Sequence, residues 1–288
     1  MKAIITGSTN GIGKETAIKM AKLGYDLILP VRSMEKGEKL KVEIQKNSPS
    51  CQIYLYECDF ADLDSVINFV NKLETEQQIS QVLINNVGIW NKTKELTKQG
   101  FEATFGVNHL SIFLTTDLIL KKNLLQPESD PTNSQNSDQT KARIVNLSSM
   151  GHYFAKVNWS DLQFEKNKYD FNLAYYNSKL FNVLFTQKLA TNLVEINPNI
   201  TCNSLHPGIV NTSLLVVPSF IRKLFGWLIM TPEKGSENTI FVATDKSLEN
   251  TTGKYFDNFK VKKHSQQANL ENQEKLWQIS EKLLSKYL

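Results

Sequence analysis

The sequence predicts an α/β protein built on a doubly wound, seven-stranded parallel sheet with helices on both faces. Three observations lead there. Apolar or alternating runs of strand length recur along the chain, with stretches of helical period between them. A glycine-rich turn joins the first strand to the first helix. A polar or glycine signal follows the end of each of six strands, and ligands bind beyond those ends in such sheets.

The elements follow in order. Residues 2–6 form the first strand, and residues 14–23 continue from the turn in helical period. Residues 25–31 are the second strand, with Pro30 marking its frayed C-terminal end because proline cannot donate to the ladder. A helix over 34–45 and a β-rich third strand over 51–57 come next, then a helix over 62–73 with Asp62 as its N-cap. The fourth strand is 81–85, and helical periodicity holds over 97–123. Residues 126–140 contain no apolar residue except two prolines and are expected to be a solvated surface insertion. The fifth strand is 142–147, followed by an irregular connection over 150–173 and a helix over 175–194. The sixth strand is 199–205, and 214–230 is an apolar, aromatic-rich segment. Pro232 suits the first turn of a helix over 232–244. A short seventh strand over 253–256 and an amphipathic helix over 270–288 close the chain.

Composition excludes several classes. With 41% hydrophobic and 22% charged residues, the 288-residue chain resembles an ordinary soluble globular protein. Its net charge of +4 is spread out, with no basic block to track a nucleic acid. Cys51, Cys58 and Cys202 lie in or beside strand-like runs and lack metal-ligand spacing, so buried reduced thiols in a cytoplasmic setting are expected. No charged leader precedes the first strand, and no run reaches the ~18 apolar residues of a membrane span. The segment 214–230 is interrupted by Pro218, Arg222 and Lys223. It reads equally as a flap over an apolar substrate or as a core helix. Trp227 beside the two cations leaves peripheral contact with a membrane surface open.

The chemistry-bearing residues sit at strand ends. Gly7, Gly11 and Gly13 let the backbone turn tightly and approach a pyrophosphate, at the positive N-terminus of the first helix. At the end of the second strand, Arg32 and Ser33 stand where NAD enzymes place an acid for the ribose hydroxyls. A cation and a hydroxyl there suit the 2′-phosphate of NADP. Tyr175 and Lys179 are four apart on a helix and share a face. A neighbouring ammonium favours the phenolate, so the pair can act as a tuned general acid/base. Tyr176, three before Lys179, could face it too, and spacing does not choose between them.

Taken together these motifs resemble the short-chain dehydrogenase/reductase family, from Thr6 to Phe256. The resembling features are the turn from Thr6 to Gly13, Asp59 after the third strand, and Asn85, Asn86, Val87 and Gly88 after the fourth. Valine there replaces the usual alanine. Asn108, Ser149, the Tyr175 and Lys179 pair, and Pro207, Gly208 and Thr212 follow in the family's order. Within the family the chain is most similar to the retinol dehydrogenase-like branch, through Val31, Arg32 and Ser33, His206 to Gly208, and Thr252 to Phe256. The resemblance implies a single Rossmann-type domain over 1–288, with a substrate flap at 212–231. It assigns proton transfer to Tyr175 rather than Tyr176, supported by Lys179, with Ser149 on the substrate oxygen and Asn108 holding a relay water. It implies cofactor contacts from Gly7, Ser8, Asn10, Gly11, Ile12, Gly13, Arg32, Ser33, Asp59, Phe60, Asn86, Val87, Gly88, Tyr175, Lys179, Pro207, Gly208, Val210 and Thr212. The cofactor expected is NADP(H) rather than NAD(H), and the substrate a small lipophilic alcohol or carbonyl compound. A homo-oligomer is left open. The alternative is a regulator that binds NADP(H) without turnover.

Overall fold

Strand-forming residues pair into one sheet because their apolar side chains alternate between two helical layers. The computed structural model describes residues 1–128, 140–210 and 230–288. The elements are β1 (Lys2–Ile5), α1 (Gly11–Lys22), β2 (Asp26–Val31), α2 (Met34–Asn47), β3 (Ile53–Glu57), α3 (Leu63–Thr75) and β4 (Val82–Asn85). The helical segment α4 (Ala103–Lys121) follows, then β5 (Ala142–Leu147) and α5 (Phe171–Ile196). After these come β6 (Ile200–His206), α6 (Pro232–Thr244), β7 (Tyr255–Asp257), β8 (Lys260–Lys262) and α7 (Leu270–Leu284).

The strand order is β3-β2-β1-β4-β5-β6-β7-β8. The order reverses between β1 and β4, where a crevice opens at the carboxyl ends of the strands. Along β1, Ala3 and Ile5 face a core with α1, α2 and α6, while Ile4 faces one with α3, α4, α5 and α7. This period-two alternation buries both faces of the sheet.

The sheet has eight strands rather than the expected seven. Seven run parallel, and β8 pairs antiparallel with β7. Nothing in residues 260–262 signals a strand, since Lys260, Val261 and Lys262 are all exposed. The hairpin turn uses Asn258 and Phe259, both at positive φ, without a glycine to announce it. Flanking lysines on such an edge discourage further strand pairing. Pro30 lies beyond Ile28, the last residue of β2 to pair with β1, and pairs only with Tyr56 of β3.

Helices α4 and α5 start away from their expected positions. α4 begins at Ala103, not 97, because Gly100 turns at positive φ and the Glu102 carboxylate caps Thr104 and Phe105. Helix α5 begins four residues before Tyr175, capped by Asp170. That places the tyrosine on the second turn of an established helix. α4 is long and apolar enough to cross a membrane, yet 89% of its apolar stretch is buried inside the protein. It is therefore packed as a core helix against α3 and α5. Asp62 caps α3 as expected, accepting from the Asp64 amide. The greater part of the 126–140 insertion and of the 212–231 flap, Thr212 included, lies outside the described residues.

Candidate active site

The site forms where β1, β4, β5 and β6 end. Its first wall is the turn after β1. Gly7 turns at φ +65, and a Cβ on Gly13 would stand 2.2 Å from the Gly7 carbonyl and 2.3 Å from the Asn86 amide nitrogen. Only glycine at position 13 lets α1 begin this close to the turn. Asn86 fastens the two loops together: its Nδ2 donates to the Thr6 and Gly7 carbonyls at 2.9 and 3.0 Å. Thr6 Oγ accepts from the amides of Asn86 and Val87, each at 3.0 Å.

A buried polar ladder holds the next strands. Asn85 Nδ2 donates to Asn146 Oδ1 at 2.8 Å, and Asn146 Nδ2 donates to Thr186 Oγ at 2.9 Å. These bonds tie β4 to β5 and β5 to α5. The Leu147 carbonyl, at the end of β5, accepts from Lys179 Nζ and from Asn182 Nδ2, both at 3.0 Å. Ser148 Oγ donates to the Lys179 carbonyl at 2.7 Å. The end of β5 and one turn of α5 are thus locked in register.

Ser149 and Tyr175 meet across this lock. Both side chains line the same cleft, Ser149 acts to lower the Tyr175 phenol, and the Lys179 Nζ lies 5.6 Å from the centre of the Tyr175 ring. Tyr176 lines the same cleft with its ring against Gly151 and Phe154, whereas Tyr175 is the one with the Lys179 ammonium over its ring. Geometry thus favours Tyr175 of the two candidates. Ser149 is itself positioned: its Oγ accepts from the Gly151 amide at 3.1 Å, and its carbonyl is bonded by His152 Nδ1 at 2.7 Å.

Burial governs the charges here. It pushes the Tyr175 phenol up to about 12, and Ser149 pulls less strongly the other way. The same burial lowers the Lys179 ammonium to about 8. The expected lowering of the phenol by the ammonium is not found: desolvation sets the direction, and the lowering contribution comes from Ser149. At neutral pH the tyrosine is neutral and the lysine largely charged.

Asn108 lies on a π turn, Gly106–Leu110, inside α4. Such turns recur at functional sites. Its Oδ1 accepts from the Ile89 amide at 2.7 Å, and its Nδ2 donates to the Ile89 carbonyl at 2.9 Å and to Ser178 Oγ at 3.0 Å. Both amide hydrogens are thereby committed to clamping the loop after β4 onto α5.

These parts enclose a cleft of about 530 Å³. Gly7, Asn10, Gly11, Ile12 and Gly13 line one end, and Asn86, Val87 and Gly88 the middle, with Ser149, Tyr175 and Lys179. Pro207, Gly208 and Val210 close it from β6. Gly88 leaves room at the centre, since a Cβ there would stand 3.4 Å from Lys179 Nζ. The other expected cofactor residues lie outside this enclosure. Ser8 is buried beneath the turn, with no hydrogen-bond partner for its Oγ among the described residues. Phe60 is buried in the core, so its ring does not reach the cleft. Asp59 lies at the end of β3, where its Oδ1 accepts from the Ala61 amide. Arg32 is exposed at the end of β2, with no hydrogen bond or ion pair among the described residues. Ser33 caps α2 through the Lys36 amide.

The residues present fit a nicotinamide dinucleotide. The first turn of α1 carries no acidic residue, so its positive end is open to an anion. The glycine cradle and the free guanidinium of Arg32 add room and charge for phosphates.

The apolar wall beside Tyr175 was not foreseen from sequence. Ile89, Trp90, Met150, Phe154, Tyr176 and Ile209 face the cleft beside the tyrosine. The Trp90 ring lies on Tyr175 with centroids 4.4 Å apart and planes 13° from parallel. Loop aromatics have no periodicity to reveal which way they point, although adjacency to the Asn85 to Gly88 motif was an available clue.

Comparisons with known proteins agree with this architecture. Residues 1–217 match the family model described as short chain dehydrogenase. Human retinol dehydrogenase 11 is 38% identical over 285 residues, covering 98% of this chain and 85% of that protein. Human polyprenol dehydrogenase is 34% identical over 284 residues, with 96% and 83% covered. A crystal structure of an uncharacterised protein from Mycobacterium paratuberculosis superposes with a TM-score of 0.78 at 28% identity, covering 99% and 93% of the two chains. A short chain dehydrogenase from Burkholderia cenocepacia in complex with NADP shares the fold, with a TM-score of 0.67 at 20% identity and 88% and 94% covered.

Proposed function

Because the chain belongs to the short-chain dehydrogenase family of oxidoreductases, we propose that it is an NADP(H)-dependent alcohol dehydrogenase/carbonyl reductase acting on lipophilic substrates. The carrying observation is the convergence of Ser149, Tyr175 and Lys179 on one cleft, with a glycine cradle at one end and an apolar wall at the other. When bound, the nicotinamide supplies or accepts the hydride. In the reductive direction, neutral Tyr175 gives its phenolic proton to the substrate oxygen. Ser149 donates a hydrogen bond to that oxygen, where negative charge grows. The charged Lys179 then favours the phenolate that Tyr175 leaves behind. In oxidation the same phenolate takes the alcohol proton back.

Arg32 supports the preference for NADP(H), as a free guanidinium at the end of β2 is matched to a 2′-phosphate. The apolar wall supports a lipophilic substrate: Met150, Phe154 and Ile209 keep substantial exposure at the cleft rim. The naming of relatives as retinol and polyprenol dehydrogenases agrees with that class.

The test is NADPH oxidation with a panel of aliphatic, aromatic and polyene aldehydes, comparing wild type with Tyr175→Phe. Turnover is expected with apolar aldehydes, reduced at least ~100-fold in the variant. Retention of most turnover in Tyr175→Phe would remove the tyrosine from the mechanism. NADPH binding without turnover of any aldehyde would favour a regulator instead.

A further inference from the structure

We propose that Trp90 is a positioning residue for Tyr175, a rigid plate that fixes the phenol ring and keeps water from it. This rests on the reading that Tyr175 exchanges the proton. The indole is held at its root, its edge and its face. At the root, the Ile89 backbone immediately before it is clamped at both N–H and C=O by Asn108, at 2.7 and 2.9 Å. At the edge, Trp90 Nε1 donates to the Phe171 carbonyl at 3.1 Å, in the first turn of the helix that carries Tyr175. At the face, the ring overlies Tyr175 nearly in parallel.

The restraints close into a circuit. Asn108 also donates to Ser178 Oγ at 3.0 Å, and Ser178 Oγ donates to the Tyr175 carbonyl at 2.7 Å. One asparagine side chain thus sets both the plate above the phenol and the backbone that carries it. The oxygen of a tyrosine lies on the χ2 axis, so its place is set by χ1 and by what the ring packs against. A parallel plate blocks displacement of the ring along its normal, which holds the phenol in place beside Ser149 in the cleft. The plate also covers one face of the ring, consistent with the burial that pushes this phenol upward.

Two replacements separate this role from that of a mere cleft wall. Trp90→Phe keeps an aromatic plate; Trp90→Leu fills space without one. Each is titrated without cofactor or substrate, with tyrosinate absorbance read up to about pH 11. The same variant carrying Tyr175→Phe is subtracted to isolate Tyr175. The signal is expected to be silent in wild type and nearly so in Trp90→Phe, and to rise by about pH 11 in Trp90→Leu as the phenol returns toward its ordinary value. With NADPH and all-trans-retinal, kcat should fall about tenfold in Trp90→Leu with KM little changed, and Trp90→Phe should restore most of it. A Tyr175 titration in Trp90→Leu that coincides with wild type overturns the proposal. So does a raised KM with unchanged kcat, which would make Trp90 only a wall. If wild type does not turn over retinal, the substrate reading fails while the titration still decides the role of Trp90.

Discussion

The ammonium of Lys179 donates to the Leu147 carbonyl at 3.0 Å, while the ring centre of Tyr175 lies 5.6 Å from the same Nζ. The lysine is thus anchored to the sheet with its ammonium over the phenol ring. Its own proton is the one that burial brings into the working range, at about 8. Carbonyl reduction should therefore have an alkaline limb near pH 8, falling about tenfold per unit above it as Lys179 becomes neutral. Lys179→Arg keeps its charge across that range, so its residual activity should lack the limb. The kcat/KM profile from pH 6 to 10 checks this, and a flat wild-type profile would contradict it.

Arg32 is exposed, with no partner among the described residues, so its charge is available to a ligand. Charge-assisted bonds to a phosphate are worth about 1.5–3 kcal/mol, or roughly 10- to 100-fold in affinity. Arg32→Asp should weaken NADPH by about that factor and leave NADH binding unchanged or improved. Fluorescence titration with the two cofactors measures the ratio. Equal losses for both would place the 2′-phosphate elsewhere.

What was legible in the sequence follows from the kind of signal each residue carries. The glycine turn, Asp62, Ser149, Tyr175 and Lys179 were legible because backbone geometry or chemistry restricts the residue type at those places. β8 was not, because a three-residue exposed edge has no buried face to impose alternation, and its turn contains Asn258 and Phe259 where glycine would have marked it. The start of α4 was missed for a similar reason: Leu96 and Phe101 continue an apolar spacing that the turn at Gly100 interrupts in space. Trp90 was hidden because its role depends on Asn108, 18 residues away in sequence, fixing the backbone beside it.

The glycine cradle makes a steric prediction. In Gly13→Ala the new methyl would meet the Gly7 carbonyl and the Asn86 amide, both well inside contact distance. Relief requires α1 to move away from the turn, or Asn86 to release the Thr6 and Gly7 carbonyls. Either change opens the phosphate cradle. NADPH affinity should fall at least ~10-fold, with a stability loss of about 1–3 kcal/mol typical of overpacking. Calorimetric binding and urea unfolding test the two effects separately. Unchanged NADPH affinity would exclude this turn from the cofactor site.

Two buried histidines make the fold acid-sensitive. His109 packs among Phe105, Phe113, Phe181 and Phe185 and bonds Ser280 of α7 at 2.7 Å. His152 joins the Ser149 carbonyl to the Ser265 amide. Burial lowers them to about 3 and about 4. The unfolded chain takes up these protons near pH 6.5, before the folded protein does, so stability is complete above pH 6.5 and lost as pH falls toward 4. At pH 5 each histidine should have removed about 2 kcal/mol. His109→Gln carries no such proton, so its loss between pH 7 and pH 5 should be about 2 kcal/mol smaller than that of wild type. Urea unfolding at the two pH values gives the comparison. Identical losses in the two proteins would mean that His109 is protonated in the fold at pH 5, against its position in the aromatic core between α4, α5 and α7.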